Sequence, residues 1–176
     1  MTERPDSLNN QAIILAAKGD YPDAIACFKR AITIDRTNHL LWYNLGITYR
    51  DAGELENASV ALKKAHSFAP ENEEILETLA TTCYSAKEFE DSLKFCTKGL
   101  MMNPENSHFW NLMGVINFNN EFYQEAAECF EEAVQLNPYY KDALYNLKDT
   151  YSELNNRNGE ESIQRVLNEL NGKTKK

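Results

Sequence analysis

The sequence predicts an all-α protein built as an array of stacked helical hairpins. A shift of 34 residues brings three prolines into register, Pro70, Pro104 and Pro138. Small side chains, which allow two helices to approach closely, recur at the same spacing: Ala24, Ala58, Ser92 and Ala126, then Ala31, Ala65, Gly99 and Ala133. A hydrophobic content of 43% is typical of a folded chain. Self-similarity at one fixed period of this length indicates a solenoid of repeats.

The stretch Trp42–Pro70 is the most complete unit of the array. It carries large side chains around small ones, in the order Trp42, Leu45, Gly46, Tyr49, Gly53, Ala58, Leu62, Ala65 and Pro70. This arrangement closely resembles a tetratricopeptide repeat (TPR), with Leu62 in place of the usual Phe. The resemblance implies a right-handed superhelical α-solenoid with four full repeats, a degenerate fifth repeat and a C-terminal capping helix.

The 34-residue period divides the chain into successive units. Residues 1–4 are predicted to be an N-terminal tail, and the four full repeats are predicted at 5–38, 39–72, 73–106 and 107–140. Residues 141–171 are predicted to form the degenerate repeat with its capping helices, before a basic tail at 172–176.

The first unit departs most from the pattern. Its second helix is well marked, because Gly19 suits a turn, Asp20 is a candidate N-cap and Pro22 stands in the first helical turn. Its first helix is more polar, as expected for an outer face at the end of an array.

Two later features are less regular. Gly99 lies inside a predicted helix, where it costs roughly 1 kcal/mol relative to Ala, so we expect close packing or a bend to compensate. After residue 159 the apolar stripe resumes about three residues late, as Ile163, Val166, Leu167 and Leu170. This stripe predicts a helix that caps the last repeat, and the alternative is a detachable helix that covers a binding surface.

Composition and charge exclude several function classes. The net charge of −9 argues against nucleic acid as a partner, because phosphate contacts need clustered Lys and Arg. No apolar run is long enough to span a bilayer, and the N-terminus lacks a secretory signal pattern, so no membrane insertion and a cytoplasmic location are expected. The four cysteines fall in helical patterns without a CxxC pair, which indicates buried, reduced thiols.

No arrangement of residues suggests catalysis. The three histidines lack metal-ligand spacing, and the glycines are scattered singly rather than grouped in a phosphate-binding loop. Neighbouring acidic residues such as Glu131 and Glu132 point in different directions on a helix. The chain is therefore predicted not to be an enzyme and to need no cofactor or metal.

The TPR resemblance implies a concave groove lined by the first helix of each repeat. The groove positions are the second, fifth, sixth, ninth and twelfth of the repeat. From them we select these candidate partner-binding residues: Asn10, Leu40, Tyr43, Asn44, Ile47, Arg50, Tyr84, Leu112, Val115, Phe118, Tyr145 and Asn146. So much apolar material on one face is typical of an interaction site. The alternative is that some of these side chains, especially Ile47 and Val115, pack between neighbouring helices.

Two known TPR binding modes can be compared with these positions. The clamp of chaperone-binding TPR domains grips a C-terminal carboxylate through Lys, Arg and Asn side chains, and here only Asn44 matches. The second mode is the asparagine ladder of O-linked N-acetylglucosamine transferase, which holds a peptide backbone. It is matched partly, by Asn10, Asn44 and Asn146, with Thr78 and Leu112 interrupting the run.

The sequence therefore predicts a non-catalytic scaffold or adaptor that binds an extended or helical peptide segment of a protein partner. Acidic groove positions outnumber Arg50, which favours an apolar partner with some basic residues. One alternative is an oligomerisation module that self-associates through the groove or the terminal repeats. Another is a regulatory subunit or domain of a larger enzyme. Replacing Tyr43 or Asn44 by Ala is expected to weaken partner binding without lowering thermal stability.

Overall fold

The computed structural model describes residues 4–173, and within them the chain is all α-helix and turn. Residues 1–3 and 174–176 of the two predicted tails lie outside this range. The helices are α1 Pro5–Ala17, α2 Tyr21–Ile34, α3 His39–Asp51, α4 Leu55–Phe68, α5 Glu73–Ser85, α6 Phe89–Met102, α7 Ser107–Asn119, α8 Tyr123–Leu136, α9 Lys141–Glu153 and α10 Arg157–Lys173. Successive odd-numbered helices begin 34 residues apart, which confirms the predicted period and the repeated-hairpin fold class.

The turn inside every hairpin needs one residue in the left-handed backbone region. Gly19 and Gly53 supply it in the first two hairpins, with φ values of 83° and 80°. The later hairpins use side-chain-bearing residues at the same place: Lys87, Glu121 and Asn155. Glycine adopts this conformation at no steric cost, whereas Lys and Glu are strained there.

The connections between hairpins are held by local hydrogen bonds. Asn38, Asn72 and Asn106 are the N-caps of α3, α5 and α7, and each side chain accepts a backbone N–H of the first helical turn. Asp20 occupies the N-cap position of α2, but its side chain makes no capping bond. The indole of Trp42 donates to the carbonyl of Arg36 at 2.8 Å, which ties α3 to the preceding connection.

The chain divides into two compact units, residues up to 95 and residues from 96 onward, which are described separately. In the first unit, the core contains Ala12, Phe28 and Leu45, all buried. Gly46 lies against Leu62, and a Cβ at Gly46 would come within 2.6 Å of the Leu62 side chain. This contact confirms that the small residue allows the two helices of a hairpin to approach closely.

The second unit repeats this contact and adds another. Gly114 lies against the ring of Phe130, where a Cβ would come within 2.6 Å. Gly99 lies against the ring of Phe109, at 2.3 Å. Close packing against the Phe109 ring therefore accompanies the glycine inside α6.

The fifth hairpin keeps the period of the others. Helix α10 begins at residue 157, which is 34 residues after the start of α8, so the helix itself is not displaced. Leu167 is buried at the place that Ala133 holds in α8. The predicted delay of about three residues is wrong, because a larger buried side chain at the regular position shifts the apparent stripe. Helix α10 packs on α9 as the second helix of a hairpin.

None of the helices in residues 4–173 combines the length and the apolar character that crossing a bilayer requires.

Candidate functional site

The odd-numbered helices of the first unit carry apolar side chains that remain partly exposed to solvent. We define the N-terminal face as Ile13, Leu40, Tyr43 and Ile47, on α1 and α3. Ile13 is 45% exposed and Leu40 is 53% exposed, whereas Tyr43 and Ile47 are half-buried. Large apolar side chains at such exposure contribute area that a partner can remove from water.

The polar candidates of this face are joined by hydrogen bonds between neighbouring helices. Asn44 Nδ2 donates to Asn9 Oδ1 at 3.0 Å, from α3 to α1. The Tyr43 phenol donates to Glu74 Oε1 at 3.0 Å and lies 3.2 Å from the Thr78 hydroxyl, both on α5. Burial raises the pKa of Tyr43, and the Glu74 carboxylate adds to the rise. These side chains therefore connect neighbouring helices and also form part of the surface.

The remaining candidates of the first unit are placed differently. Asn10 is exposed on α1, and it is its neighbour Asn9 that bonds Asn44. Arg50 is exposed and donates two hydrogen bonds to the adjacent Asp51, which holds its guanidinium along α3. Tyr84 is half-buried, with its ring 5.7 Å from that of Phe89.

In the second unit, a similar bond joins α9 to α7. Asn146 Nδ2 donates to Asn111 Oδ1 at 3.0 Å. Asn111 Nδ2 in turn donates to the Tyr140 hydroxyl at 3.3 Å, and that hydroxyl lies 3.4 Å from His108 Nδ1. The asparagine pair of the second unit lies three repeat periods after the pair of the first, with the same separation of 35 residues.

The second unit also contains a cavity beside this bond. Its volume is about 210 Å³, and it is lined by Val115, Phe118, Asn119, Phe130, Asn146 and Asp149. Three of the predicted binding residues therefore meet at one place. Val115 and Phe118 also pack against the core of the hairpin. They therefore contribute to helix packing and also line the cavity surface.

Leu112 and Tyr145 complete the candidates of the second unit. Leu112 is half-buried on α7, and Tyr145 is 42% exposed on α9. We define the C-terminal face as the candidates of α7 and α9: Leu112, Val115, Phe118, Tyr145 and Asn146.

A separate polar cluster joins α4 to α5 and α6 in the first unit. Cys83, Glu88 and Asp91 offer three ligand atoms within 4.8 Å of one another, a spacing suited to a metal ion. The Lys63 ammonium lies among them, 2.7 Å from Glu88 and 2.5 Å from Asp91, and the Ser59 hydroxyl donates to Glu88 at 2.8 Å. The single ammonium already contacts both carboxylates, so the cluster is an ion-pair network.

The protonation states of this cluster follow from its contacts. Burial raises the pKa of the Cys83 thiol to about 12, which keeps it protonated and unreactive. For Glu88, burial acts to raise the pKa, but the hydrogen bonds from Lys63 and Ser59 outweigh it and lower the pKa. The hydrogen bond from Lys63 lowers the pKa of Asp91. All four cysteines are buried free thiols, as the sequence predicts.

Three family models match the sequence one after another. A TPR repeat model matches residues 14–50, and two tetratricopeptide repeat models match residues 49–116 and 107–140. The chain belongs to the tetratricopeptide repeat family. These matches confirm the resemblance to a tetratricopeptide repeat that the sequence of Trp42–Pro70 indicates. Members of the TPR family generally present binding surfaces to protein or peptide partners and are generally non-enzymatic.

Solved structures share the TPR fold of this chain. MamA superposes with a TM-score of 0.85 and 20% identity, over 94% of this chain and 97% of the MamA chain. A tetratricopeptide repeat protein from Parabacteroides merdae gives 0.83 and 24%, over 94% and 66%. YrrB, a TPR protein with an unusual peptide-binding site, gives 0.74 and 20%, over 93% and 84%. At these identities the likeness shows the fold alone. A comparison with curated proteins gives no match.

Asn9 and Asn111 both stand at the fifth, groove-facing place of their repeats, but neither is among the candidate binding residues. The asparagine ladder uses the sixth residue of each repeat, whereas its bond partner here is the fifth residue of the preceding repeat. The signal was present in the spacing: Asn9 with Asn44, and Asn111 with Asn146, are both 35 residues apart, which is one period plus one residue.

Proposed function

We propose that this TPR chain is a non-catalytic scaffold that binds a peptide segment of a protein partner on the faces of its odd-numbered helices. The observation that carries the proposal is the exposure of Ile13, Leu40 and Tyr145 on these faces, at 45%, 53% and 42%. Side chains at these places are not needed for contact between helices, so their apolar character favours a partner that covers them.

The charge of the chain favours one kind of partner peptide. The net charge of −9 favours a segment that carries Lys or Arg beside its apolar anchors. Charge complementarity of this kind raises the association rate and selectivity, while apolar burial supplies most of the affinity. The proposed ligand is therefore an apolar peptide segment with some basic residues.

Selection from a displayed peptide library tests this function on the full chain. Peptides selected by the wild type are expected to lose at least tenfold in affinity against Leu40→Glu or Tyr145→Glu, because each change places a charge where the peptide buries apolar area. Val60→Glu is the matched control, since Val60 is 61% exposed but lies on α4, outside both faces. Selected peptides that bind all four proteins equally would refute the proposal.

A second candidate function, self-association through the first repeat, is favoured by one residue. Ile14 is 56% exposed, whereas Thr48 and Thr82, which hold the same place in the next two repeats, are buried by neighbouring helices. Light scattering over a concentration series distinguishes this function. A dimer that persists on dilution and is lost in Ile14→Glu would support it, and a monomer at all concentrations would exclude it.

A further inference from the structure

The cavity of the second unit has the size of a single side chain. Its volume of about 210 Å³ lies below the roughly 300–1,000 Å³ of pockets that hold cofactors or drug-sized molecules. Val115, Phe118 and the buried ring of Phe130 supply its apolar lining. An unbranched or γ-branched aliphatic side chain therefore suits it better than a metabolite does.

The amide of Asn146 is the end of a chain of hydrogen-bonded polar side chains. Asn111 donates its own N–H to the Tyr140 hydroxyl, whose proton can then point to His108 Nδ1. In the structure, Asn111 accepts at Oδ1 from Asn146 Nδ2 at 3.0 Å. Among the described residues, Asn146 Oδ1 has no hydrogen-bond partner, so this acceptor is available at the cavity that Asn146 lines.

The cavity rim carries one formal charge. Of the six lining residues, Asp149 alone is charged. Its nearest cation is the adjacent Lys148, at 3.6 Å, and the Asp149 side chain is 64% exposed. An exposed contact of this kind is worth little, so a basic group of a ligand can replace it.

We propose that this cavity is a subsite for a dipeptide unit of a partner protein, in which Leu, Ile or Met is next to Lys or Arg. The aliphatic side chain fills the cavity, Asn146 Oδ1 accepts a backbone N–H, and Asp149 pairs with the basic side chain. Asn111 is a positioning residue, because it orients the Asn146 amide. This inference rests on the proposed function and names the chemistry that the C-terminal face selects.

Titration of the full chain with short blocked peptides, followed by NMR, tests the subsite. N-acetyl-Leu-Lys-amide is expected to give saturable shifts of the Val115 methyl and Asn146 side-chain amide signals, with a Kd of roughly millimolar order. N-acetyl-Ala-Lys-amide is expected to bind at least tenfold more weakly, since it leaves the cavity unfilled. N-acetyl-Leu-Glu-amide is expected to lose about threefold or more at low salt.

Two pairs of variants separate the roles of the residues. Asp149→Asn is expected to abolish the preference for Lys over Glu, whereas Glu128→Gln, which removes the same charge on α8 outside the cavity, keeps it. Asn111→Ala is expected to weaken the Leu-Lys probe about fivefold, because Asn146 loses its fixed orientation. Asn9→Ala removes the equivalent bond in the first unit and is expected to leave the affinity unchanged.

Equal binding of the Leu and Ala probes, or a Lys preference that survives Asp149→Asn, would overturn the inference. If library peptides bind through Leu40 and leave the Val115 signal unmoved, the subsite is refuted while the proposed function stands. If no peptide binds either face, both are refuted.

Discussion

The ring of Phe109 packs directly on Gly99, so that a Cβ at Gly99 would lie 2.3 Å from the ring carbon Cε2. Both residues are buried in the second unit. Elsewhere in the array the place of Gly99 holds Ala, as at Ala31 and Ala65, and the place of Phe109 holds a smaller side chain, as at Leu41. One large side chain and one missing methyl group thus compensate each other.

This exchange predicts that Gly99→Ala destabilises the protein. Ala normally gains roughly 1 kcal/mol over Gly in a helix, but a methyl group forced against a buried ring costs about 1–3 kcal/mol. We expect a net loss of about 1 kcal/mol in the free energy of unfolding, measured by urea denaturation. In a Phe109→Leu background, the same Gly99→Ala change is expected to stabilise the protein by up to about 1 kcal/mol.

Gly172→Ala provides the control for helix propensity. Gly172 is helical in α10 with nothing within 4 Å of its added Cβ, so Ala there is expected to be neutral or slightly stabilising. A stabilising effect of Gly99→Ala in the wild-type background would show that the Phe109 ring moves aside.

The hydroxyl of Thr82 predicts a stabilising substitution. Thr82 is fully buried, and its Oγ1 has no hydrogen-bond partner in the described structure. Thr82→Val keeps the branched shape and removes the unsatisfied hydroxyl. We therefore expect the free energy of unfolding, measured by thermal denaturation, to rise by about 1 kcal/mol. Thr48 holds the same place one repeat earlier, but its hydroxyl donates to the Asn44 carbonyl at 2.7 Å. Thr48→Val is therefore expected to lose stability, and equal effects at the two sites would contradict the interpretation.

The Lys63 network predicts a component of stability that depends on pH. The pKa values of Glu88 and Asp91 are lowered from 4.5 and 3.8, so their contribution is present above these values and is lost as the pH falls through the lower folded values. Lys63→Met is expected to lower stability by about 1 kcal/mol at pH 7, after allowance for solvent screening. Its stability should then decline less steeply than that of the wild type below about pH 4.5.

Thermal unfolding measured from pH 7 to pH 3 checks this prediction. Arg165→Met is the matched control, because the Arg165–Glu161 pair is 3.9 Å apart and highly exposed. Its pH profile is expected to follow the wild type. Parallel profiles for Lys63→Met and the wild type would mean that the ammonium does not hold the two carboxylates in their charged form.

The Asn9–Asn44 bond changes what is expected of substitutions on the N-terminal face. Asn44→Ala removes a partner of Asn9, so we now expect a loss of about 1 kcal/mol in stability in addition to any loss of binding. Tyr43→Ala is expected to behave similarly, since its phenol bonds Glu74. In a double-mutant cycle, Asn9→Ala and Asn44→Ala should be less than additive. Additive losses in urea denaturation would indicate that the bond contributes nothing.

The repeat array is predictable from the sequence alone. Its period and the small residue Gly46 beside Leu62 are properties of one repeat or of its contact with the next. Such local and nearest-neighbour requirements recur at fixed spacing, so they can be recognised without coordinates.

The pairing of the polar side chains and the position of the cavity depend on how neighbouring helices pack. Asn44 bonds Asn9 instead of standing free, since the stagger of neighbouring helices joins residues one period plus one apart. Glu121 takes the left-handed turn place of Gly19 and Gly53 although its residue type does not favour that conformation, so residue type alone does not mark it. The cavity at Val115 depends on side chains from three helices meeting at one point, which no single-residue pattern encodes.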